Sequence, residues 1–439
     1  MLNKVKDYIE KHQLLSLDKR YLVALSGGAD SVCLLLAMLR MGYHVEAVHC
    51  NFHLRQEESN RDEAFVVNLC KKYDIVLHLI HFDTKTYAKV HKISIEMAAR
   101  ELRYNYFERL RQDINFDGIC VAHHQNDSVE TILLNLIRGT GIHGLTGINP
   151  RNGYLIRPLL CVDKEEITKW LDEQHQDYVT DSSNLQAEVI MNKIRLNILP
   201  LLKDINPNVE NNIMRTAQNL NEVASIYDKQ VSNVLKRLLD GNRLDIHSLL
   251  NETSPKSILF EWLKTYNYSP ATIEHVFSSL TSLQSGREWS SETHQLTIHQ
   301  GCLLLEEKVP DLPTLRIPEL GNYVYHDDCM LRIESQLGKV ILKDSSYACI
   351  DKSKVSFPLT IRPIQSGDRF IPYGMRGSKL ISDYLTDRHL SIFDKRRSLV
   401  LCDNEGRILW LVNHRPDARF CVNDLTQETL VFSFFNRKK

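Results

Sequence analysis

The chain has 439 residues, of which 43% are hydrophobic and 25% charged, which is typical of a globular protein with two or three domains. Lysine and arginine number 54 against 55 for aspartate and glutamate, so any polyanion-binding site must be a local patch and not a property of the whole chain. The ten cysteines form no C-x-x-C pair, which argues against a zinc knuckle, an iron–sulfur site and a secreted disulfide framework.

The chain begins with a segment whose charges recur every few positions, MLNKVKDYIEKHQLL, which predicts an amphipathic helix and not a signal peptide. No run of about 18 apolar residues occurs, so no membrane span is predicted. We therefore expect a soluble protein of a reducing, cytoplasmic compartment.

Short apolar runs alternate with helical stretches from Tyr21 to about Pro158. This alternation predicts an α/β domain with a doubly wound, mostly parallel sheet. Ligands of such sheets bind beyond the carboxyl ends of the strands, where the segments SGGADS, VHCNFHLR and AHHQNDSVET fall. The predicted strands are residues 21–25, 44–50, 74–82 and 117–124.

The rest of the chain changes character twice. Helical patterns cover about 206–236 and 255–283, a strand-like alternation follows at 294–307, and the proline-containing segment 309–321 predicts a linker. Short strands are predicted beyond Tyr323, in VILKD, LTIRPI, SLVLCD and ILWLVN. We expect a catalytic domain over 1–204, a mainly helical domain over 205–308 and a small β-rich domain over 317–437.

The segment SGGADS lies between a predicted strand and a predicted helix. Two glycines at such a turn let backbone N–H groups approach a ligand, and the helix N-terminus favours an anion. The hydroxyls of Ser26 and Ser31 can bind phosphate oxygens, whereas Asp30 suits either a helix cap or Mg²⁺. The pattern G-x-x-x-x-G-K-[ST] is absent, which argues against an ordinary γ-phosphate NTPase.

This segment resembles the SGG-x-DS signature of the PP-loop ATP pyrophosphatases, which have a Rossmann-like fold. Within that superfamily the chain is similar to the tRNA(Ile)-lysidine synthetases over nearly its whole length. The similar segments are SGGADS, EMAARELRY, AHHQNDSVET, RGTGIHGL, IRPLL, IRLNILP and SGDRFIPYGMRGSKLISDYLTDRHLS.

The resemblance implies an ATP-dependent ligase that acts on tRNA(Ile) with a CAU anticodon. Enzymes of this kind adenylate the C2 oxygen of the wobble cytidine, and the ε-amine of free lysine then displaces AMP. The implied cofactors are ATP and Mg²⁺, with Asp30 as the magnesium ligand, and a homodimer is one expected assembly. The implied nucleotide-binding residues are Ser26, Gly27, Gly28, Ala29, Asp30, Ser31 and Arg100. The implied catalytic residues are Asp30, Asp127, Glu130 and Arg195.

The segment AHHQNDSVET allows several interpretations. Zinc binding by His123 and His124 is disfavoured because the spacing is not H-E-x-x-H and no second cluster completes a site. If a helix starts at Gln125, Asp127 and Glu130 share one face, which we expect to border the same crevice as SGGADS. Helix capping is the alternative for Asp127. The resemblance implies that His123 and Asp127 bind the substrate.

Two arginines recur at helical spacing after Glu96, at positions 100 and 103. An exposed ion-pair ladder is the structural alternative, whereas the resemblance implies that Arg100 lies near phosphates and Arg103 near the target nucleotide. The resemblance also implies that Arg55 binds the substrate. The chain departs from the family pattern where Phe52 replaces a histidine and Met191 replaces an arginine.

The region from Arg362 to Arg415 carries ten Lys and Arg residues against six Asp and Glu, with tyrosines between them. Such a patch can grip an RNA backbone, or it can be an ordinary solvated surface. We expect Lys379, Arg396 and Arg397 to contact tRNA. The alternative functions are another PP-loop tRNA-modifying enzyme such as a thiolase, or a non-catalytic RNA-binding module.

Overall fold

The computed structural model describes residues 1–54, 57–180, 190–282, 286–326 and 329–436. The chain divides into two compact units, Met1–Lys229 and Gln230–Lys439. The bounds of the elements agree with the predicted alternation in the first unit, although the strands at 74–82 and 117–124 are shorter than predicted.

Among its described residues the first unit contains six strands and the helices α1 to α9, and helix α10 spans the boundary at residues 229 and 230. Single helical turns also occur at Ile142–Leu145 and Pro158–Cys161 (3₁₀) and at Ile194–Ile198 (π). The strands are β1 (Arg20–Ala24), β2 (His44–Asn51), β3 (Leu77–His81), β4 (Gly118–Cys120), β5 (Arg151–Asn152) and β6 (Leu155–Ile156). The helices are α1 (Leu2–Lys11), α2 (Ala29–Arg40), α3 (Glu57–Lys72), α4 (Thr84–His91), α5 (Ile95–Asp113), α6 (Gln125–Arg138), α7 (Lys164–Glu173), α8 (Ile190–Lys193), α9 (Leu199–Ile205) and α10 (Val209–Leu238).

The six strands form one sheet in the order β3-β2-β1-β4-β6-β5, and every pair is parallel except β5 with β6. Because side chains alternate along a strand, Tyr21 and Val23 pack on one face with α1, α2, α3 and α7, whereas Leu22 packs on the other face with Phe107 of α5. The prediction of a doubly wound, mostly parallel sheet is confirmed.

The sheet has its switch point between β1 and β4. The chain passes from β1 through α2 to β2 on one side, and β4 pairs with β1 on the other side. Ligands of open α/β sheets bind in the crevice at such a point, outside the carboxyl ends of the strands. The SGGADS loop follows β1, and His123 and His124 follow β4.

The second unit contains three antiparallel sheets, a two-stranded ribbon and five short helices among its described residues. The sheet orders are β7-β8-β11-β10-β9, β12-β16-β19-β20 and β13-β14-β21-β15, with β17 paired to β18. The strands are β7 (Leu239–Asp240), β8 (Arg243–Asp245), β9 (Glu288–Ser290), β10 (His294–His299), β11 (Cys302–Glu307), β12 (Leu315–Ile317), β13 (Gly321–Val324), β14 (Cys329–Leu337), β15 (Tyr347–Asp351), β16 (Leu359–Pro363), β17 (Arg369–Phe370), β18 (Lys379–Leu380), β19 (Leu399–Cys402), β20 (Ile408–Leu411) and β21 (Glu428–Asn436). The helices are α11 (Ile246–Leu250), α12 (Pro255–Lys264), α13 (Pro270–Ser279), α14 (Ile381–Asp387) and α15 (Ile392–Arg397).

Two local predictions for this unit need correction. The region 205–308 is mainly helical as predicted, and the strand-like alternation at 294–307 belongs to a five-stranded sheet. The segment 309–321 contains β12 and is not linker throughout. The segment VILKD forms no strand, because Val340 N–H donates to the Thr429 hydroxyl and Leu342 N–H to the Cys349 sulfur instead of to a neighbouring strand. None of the helices in the described ranges is long and apolar enough to cross a membrane.

Candidate functional site

The SGGADS loop turns sharply between β1 and α2. Gly27 has φ +91°, and its carbonyl accepts the Val179 N–H at 2.9 Å. The Ser31 hydroxyl donates to the Gly28 carbonyl at 3.0 Å and lies 3.1 Å from the Ser26 hydroxyl. Gly28 and Ala29 mark the start of the 12-residue helix α2. The loop therefore brings two hydroxyls and a helix N-terminus to the carboxyl end of β1, an arrangement suited to phosphate.

Gly27→Ala is expected to lower the free energy of unfolding by about 1–2 kcal/mol, because a Cβ disfavours the left-handed region. An alanine Cβ there would lie 3.4 Å from both Phe65 and Val66, in ordinary van der Waals contact, so the cost comes from the backbone conformation and not from a clash. We expect ATP binding to weaken as well, measured by calorimetry. Gly42→Ala is the matched control, since φ is +82° and a Cβ added there would meet nothing within 4 Å. Equal ATP affinity in both variants would contradict a phosphate-binding loop.

Asp30 is held by a lysine to which no sequence motif pointed. Lys164 Nζ lies 2.6 Å from Asp30 Oδ1, and His124 Nε2 lies 3.8 Å from Asp30 Oδ2. Lys164 is the first residue of α7, and its N–H donates to Asn126 Oδ1 at 3.0 Å. The D-K-E-E spacing could have revealed the helix start through its capping box, but not the partner of the lysine.

Asp127 performs the capping role that the sequence left as an alternative. Its Oδ2 accepts the His124 N–H at 2.9 Å at the start of α6. His124 is buried, and within the described residues its Nδ1 has no hydrogen-bond partner, with Asp127 Oδ2 3.7 Å away. His124 therefore lies between the carboxylates of Asp30 and Asp127.

Glu130 and Arg195 form a bidentate ion pair. Arg195 Nε is 2.6 Å from Oε1 and Nη2 is 2.9 Å from Oε2, while Nη2 lies 3.6 Å from Asp127 Oδ1. The side chain of Glu130 is 1% exposed and that of Arg195 is 37% exposed. Burial raises the pKa of Glu130, and the hydrogen bonds from Arg195 oppose that effect. The hydrogen bond to Glu130 raises the pKa of Arg195, which stays charged.

These contacts join three carboxylates, two cations and His124 at the edge of the sheet. Arg195 lies on the single π-helical turn Ile194–Ile198, an irregularity that often marks functional sites. The turn is anchored by Ile194 and Leu199, which pack with Val129 of α6. His124, Asp127 and Glu130 are close together in the sequence, whereas Asp30, Lys164 and Arg195 come from distant segments. The fold brings them together in the order Lys164, Asp30, His124, Asp127, Arg195 and Glu130.

A cavity of about 460 Å³ opens beside the SGGADS loop. Asp127, Glu130 and Arg195 do not line it, which corrects the expectation that Asp127 and Glu130 border the same crevice as SGGADS: Asp127 caps α6, and Glu130 is buried against Arg195. They connect to the cavity wall only through the contacts of Asp127 with His124 and of His124 with Asp30. The predicted site residues that do line the cavity are Ser26, Gly28, Asp30, Ser31, Arg100, Arg103 and His123.

The two cavity arginines lie over aromatic rings. The guanidinium carbon of Arg100 is 5.0 Å from the Tyr104 ring centroid, and that of Arg103 is 5.2 Å from the ring of Phe52. Phe52 in turn stacks on Phe82 at 5.6 Å. Phe52, where the family pattern has histidine, therefore gives Arg103 an aromatic face, and both guanidinium groups keep donors available for an anion.

Two histidines face the cavity as neutral rings with opposite hydrogen-bonding roles. His49 Nδ1 donates to the Leu25 carbonyl at 2.7 Å, which leaves Nε2 as an acceptor. His123 Nδ1 accepts from Arg157 Nε at 3.3 Å, which leaves Nε2 as the N–H donor. Burial lowers the pKa of each ring. His49 and Arg157 were not predicted as site residues, because their partners are known only from the fold.

A magnesium ligand set at Asp30 is limited to one carboxylate. Among the described residues no group of three or more His, Cys, Asp or Glu side chains is arranged to hold a metal ion. Mg²⁺ commonly binds one or two carboxylates together with substrate phosphates and water. The residues at this loop thus fit an ion that arrives with a nucleotide. Asp30 would then give up its contact with Lys164 and contact the ion.

The three cations expected to contact RNA are all ion-paired. Lys379 pairs with Asp387, Arg396 with Glu288 and Arg397 with Glu306. The interpretation of these residues as a basic surface needs correction in that respect, because each neighbouring carboxylate offsets the charge of its cation. Arg55, also expected at the substrate, lies outside the described residues.

A second cavity, of about 500 Å³, lies in the second unit and is bordered by other cations. Arg415 Nη1 donates to the Tyr373 carbonyl at 2.6 Å, and the guanidinium of Arg388 lies 4.8 Å from the Tyr384 ring centroid. Across the described ranges, neither these two arginines nor Lys343 has a carboxylate within ion-pair distance. The ring of Tyr373 at the rim is 54% exposed.

Comparisons with known proteins give two matching family models and several full-length relatives. A family model described as a PP-loop domain matches residues 1–202, and one described as a TilS substrate binding domain matches residues 240–308. The chain is 46% identical to the tRNA(Ile)-lysidine synthase of Bacteroides thetaiotaomicron over 431 residues, 98% of either chain. It is 42% identical to that of Parabacteroides distasonis over 440 residues, 99% of this chain and 100% of the relative. It is 36% identical to that of Porphyromonas gingivalis over 453 residues, 99% of either chain.

Proposed function

This chain belongs to the tRNA(Ile)-lysidine synthase family, and from that membership we propose how its own residues bind ATP, lysine and a CAU-anticodon tRNA(Ile). It is a PP-loop enzyme that uses ATP to modify tRNA. The family relation favours this function over a thiolase or a non-catalytic RNA-binding module. The observation that carries the residue assignment is the convergence of the SGGADS loop, Asp30 and the Glu130–Arg195 pair at one edge of the sheet.

The reaction has two steps. In the first, the C2 oxygen of the wobble cytidine attacks the α-phosphorus of ATP and releases pyrophosphate. In the second, the ε-amine of lysine attacks C2, the C–O bond breaks, and AMP leaves with the electron pair. The first step is needed because an amide-like oxygen is a poor leaving group, and adenylation makes it a good one.

The SGGADS loop holds the phosphates in this proposal. The hydroxyls of Ser26 and Ser31 and the N-terminus of α2 bind the departing pyrophosphate, and Arg100, which also lines the cavity, balances its charge. Mg²⁺ carried by the nucleotide would neutralise phosphate charge and would contact Asp30. Lys164, released from Asp30, is then available to the phosphate oxygens.

The second step needs an unprotonated amine, although the reference pKa of lysine is about 10.4. Asp127, which lies between His124 and Arg195, supplies negative charge that attracts the ammonium form, and a carboxylate near the amine accepts the proton that is lost. Glu130 acts from its buried position by holding Arg195. Arg195 fixes both carboxylates and stabilises negative charge that develops on the adenylated intermediate. His123 and Arg103 line the cavity and bind the target cytidine.

We place the remaining tRNA contacts on the second cavity, because its rim carries unpaired cations and an exposed ring. Aromatic faces stack on bases, and arginine donors bind phosphates. A catalytic domain over 1–204, a tRNA-contacting domain over 205–308 and a tRNA-binding domain over 317–437 belong to the same proposal, as do the homodimer and the cytoplasmic location. The decisive experiment measures AMP and pyrophosphate release with CAU tRNA(Ile), with and without lysine, and the mass of the product tRNA. Turnover without lysine incorporation would overturn the proposal.

Replacing Lys343, Arg388 and Arg415 together by glutamine should weaken tRNA binding and lower the salt-dependence slope by about 2–3, because up to three phosphate contacts are lost. ATP binding should be unchanged. Affinity is measured by filter binding at several salt concentrations.

The matched control removes three other cations of the second unit. An equal loss of affinity in the control would mean that net charge, and not this cavity, attracts the RNA. The control substitutions are Lys308→Gln, Arg316→Gln and Arg332→Gln.

A further inference from the structure

Two arginines at the end of α15 contact two carboxylates of the β7–β11 sheet. Arg396 binds Glu288 of β9 through both guanidinium arms, at 2.7 and 2.8 Å, and reaches Gln295 at 3.4 Å. Arg397 binds Glu306 of β11 at 2.6 and 3.2 Å. Both contacts are bidentate, which fixes the angle of the guanidinium plane as well as its distance.

The carboxylates lie on the face of the sheet turned away from its core. Gln295 is paired directly with Glu306 across β10 and β11, whereas the next residue, Leu296, is buried in the core. Glu288 pairs with Thr297, two residues from Gln295, so its side chain shares that outer face. The sheet thus offers two anionic groups at a fixed spacing set by its strands.

The helix that carries the arginines is equally fixed. Phe393 is 1% exposed, and Ser391 and Asp394 form a capping box at the start of α15. Asp394 Oδ1 also accepts from Arg397 Nη2 at 3.0 Å. Arg397 is therefore held from both sides, by Asp394 of its own helix and by Glu306 of the sheet. A further contact joins His299 Nε2 to the carbonyl of His389 at 3.0 Å.

From this geometry we infer that Arg396 and Arg397 are positioning residues that fix the C-terminal β-rich part against the β7–β11 sheet, and are not RNA contacts. The ion pairs are partly exposed, with side-chain exposures of 55% for Arg396 and 28% for Glu288, so they add little to stability. Their effect is on geometry. The inference rests on the proposed function, in which both parts touch one tRNA.

A fixed spacing matters because two linked contacts strengthen each other only when both can engage at once. The contact between α15 and the β7–β11 sheet, which we call the junction, holds the spacing before binding and so also reduces the entropy lost on association. Loosening it should therefore lower tRNA affinity and the discrimination between tRNAs, although no RNA-contacting group is removed.

The test is a charge exchange. Arg396→Glu with Arg397→Glu should weaken tRNA binding by about tenfold, since like charges then face each other across the junction. Glu288→Arg with Glu306→Arg should weaken it to a similar extent, although this variant gains positive charge. The fourfold exchange restores both pairs and should recover affinity to within about threefold of the parent.

The opposite sign would overturn the inference. If the arginines bind RNA, the variant with Glu288→Arg and Glu306→Arg should bind tRNA more strongly than the parent. The fourfold exchange should then not recover the affinity lost in the variant with Arg396→Glu and Arg397→Glu. Hydrogen exchange of residues 288–306 and 389–397, measured without RNA, provides a second measurement. Protection should be lost in both double variants and regained in the fourfold variant. If the parent chain binds no tRNA, the proposed function is rejected. Hydrogen exchange then still tests whether Arg396 and Arg397 hold α15 against the β7–β11 sheet.

Discussion

Asp30→Asn is expected to reduce lysidine formation by at least about 100-fold, the scale seen when a preorganised charged or donor group at a reacting phosphate or oxyanion is lost. The substitution keeps the size of the side chain but removes the charge that faces Lys164 and His124. Asp30 is partly exposed, at 30% for its side chain, so the fold should tolerate the change. Pyrophosphate release at saturating ATP is the measurement.

Ser31→Ala removes the hydroxyl that bridges Gly28 and Ser26 and should act in the same direction. Lys164→Met is the informative comparison, because it leaves Asp30 charged but without its lysine. We expect it to raise the ATP concentration needed for half-maximal rate. Asp30→Asn with near-parental activity and unchanged thermal unfolding would remove the loop from the active site.

The second large effect is expected for Glu130→Gln, which should nearly abolish modification of tRNA while ATP still binds. The change breaks the bidentate pair and leaves Asp127, 3.6 Å away, as the remaining carboxylate beside Arg195. Breaking fully buried pairs costs about 3–5 kcal/mol, and the 37% exposure of the Arg195 side chain should reduce the cost to about 2 kcal/mol. Activity is therefore measured well below the unfolding midpoint.

A double variant separates stability from chemistry. Glu130→Gln combined with Arg195→Met removes both charges, and replacing both partners of a buried ion pair is often neutral for stability. Thermal unfolding should recover toward the parent value, whereas lysidine formation should stay lost. Recovery of both properties together would mean that the pair serves only to hold α6 against the π-helical turn.

The sheet and its loop could be predicted because their signals are local. Apolar runs of strand length separated by helical periods indicate a parallel sheet, and a glycine pair after such a run has few other uses. The predicted start of a helix at Gln125 agrees with α6 for the same reason. The failed strand in VILKD shows the limit, since apolar composition did not reveal that its N–H groups bond to side chains.

The sequence by itself determined the fold class, the phosphate loop and the membership in an ATP-using tRNA-modifying family, because each depends on residues close together in the chain. Only the tertiary structure decided the partners of the charged groups. Asp30 meets Lys164 across 134 positions, Glu130 meets Arg195 across 65, and Arg396 meets Glu288 across 108. The sequence alone does not distinguish a cation that is paired with a carboxylate distant in the chain from a cation that is unpaired. Whether it binds RNA or holds the fold depends on a distance of a few ångströms that the packing of whole elements sets.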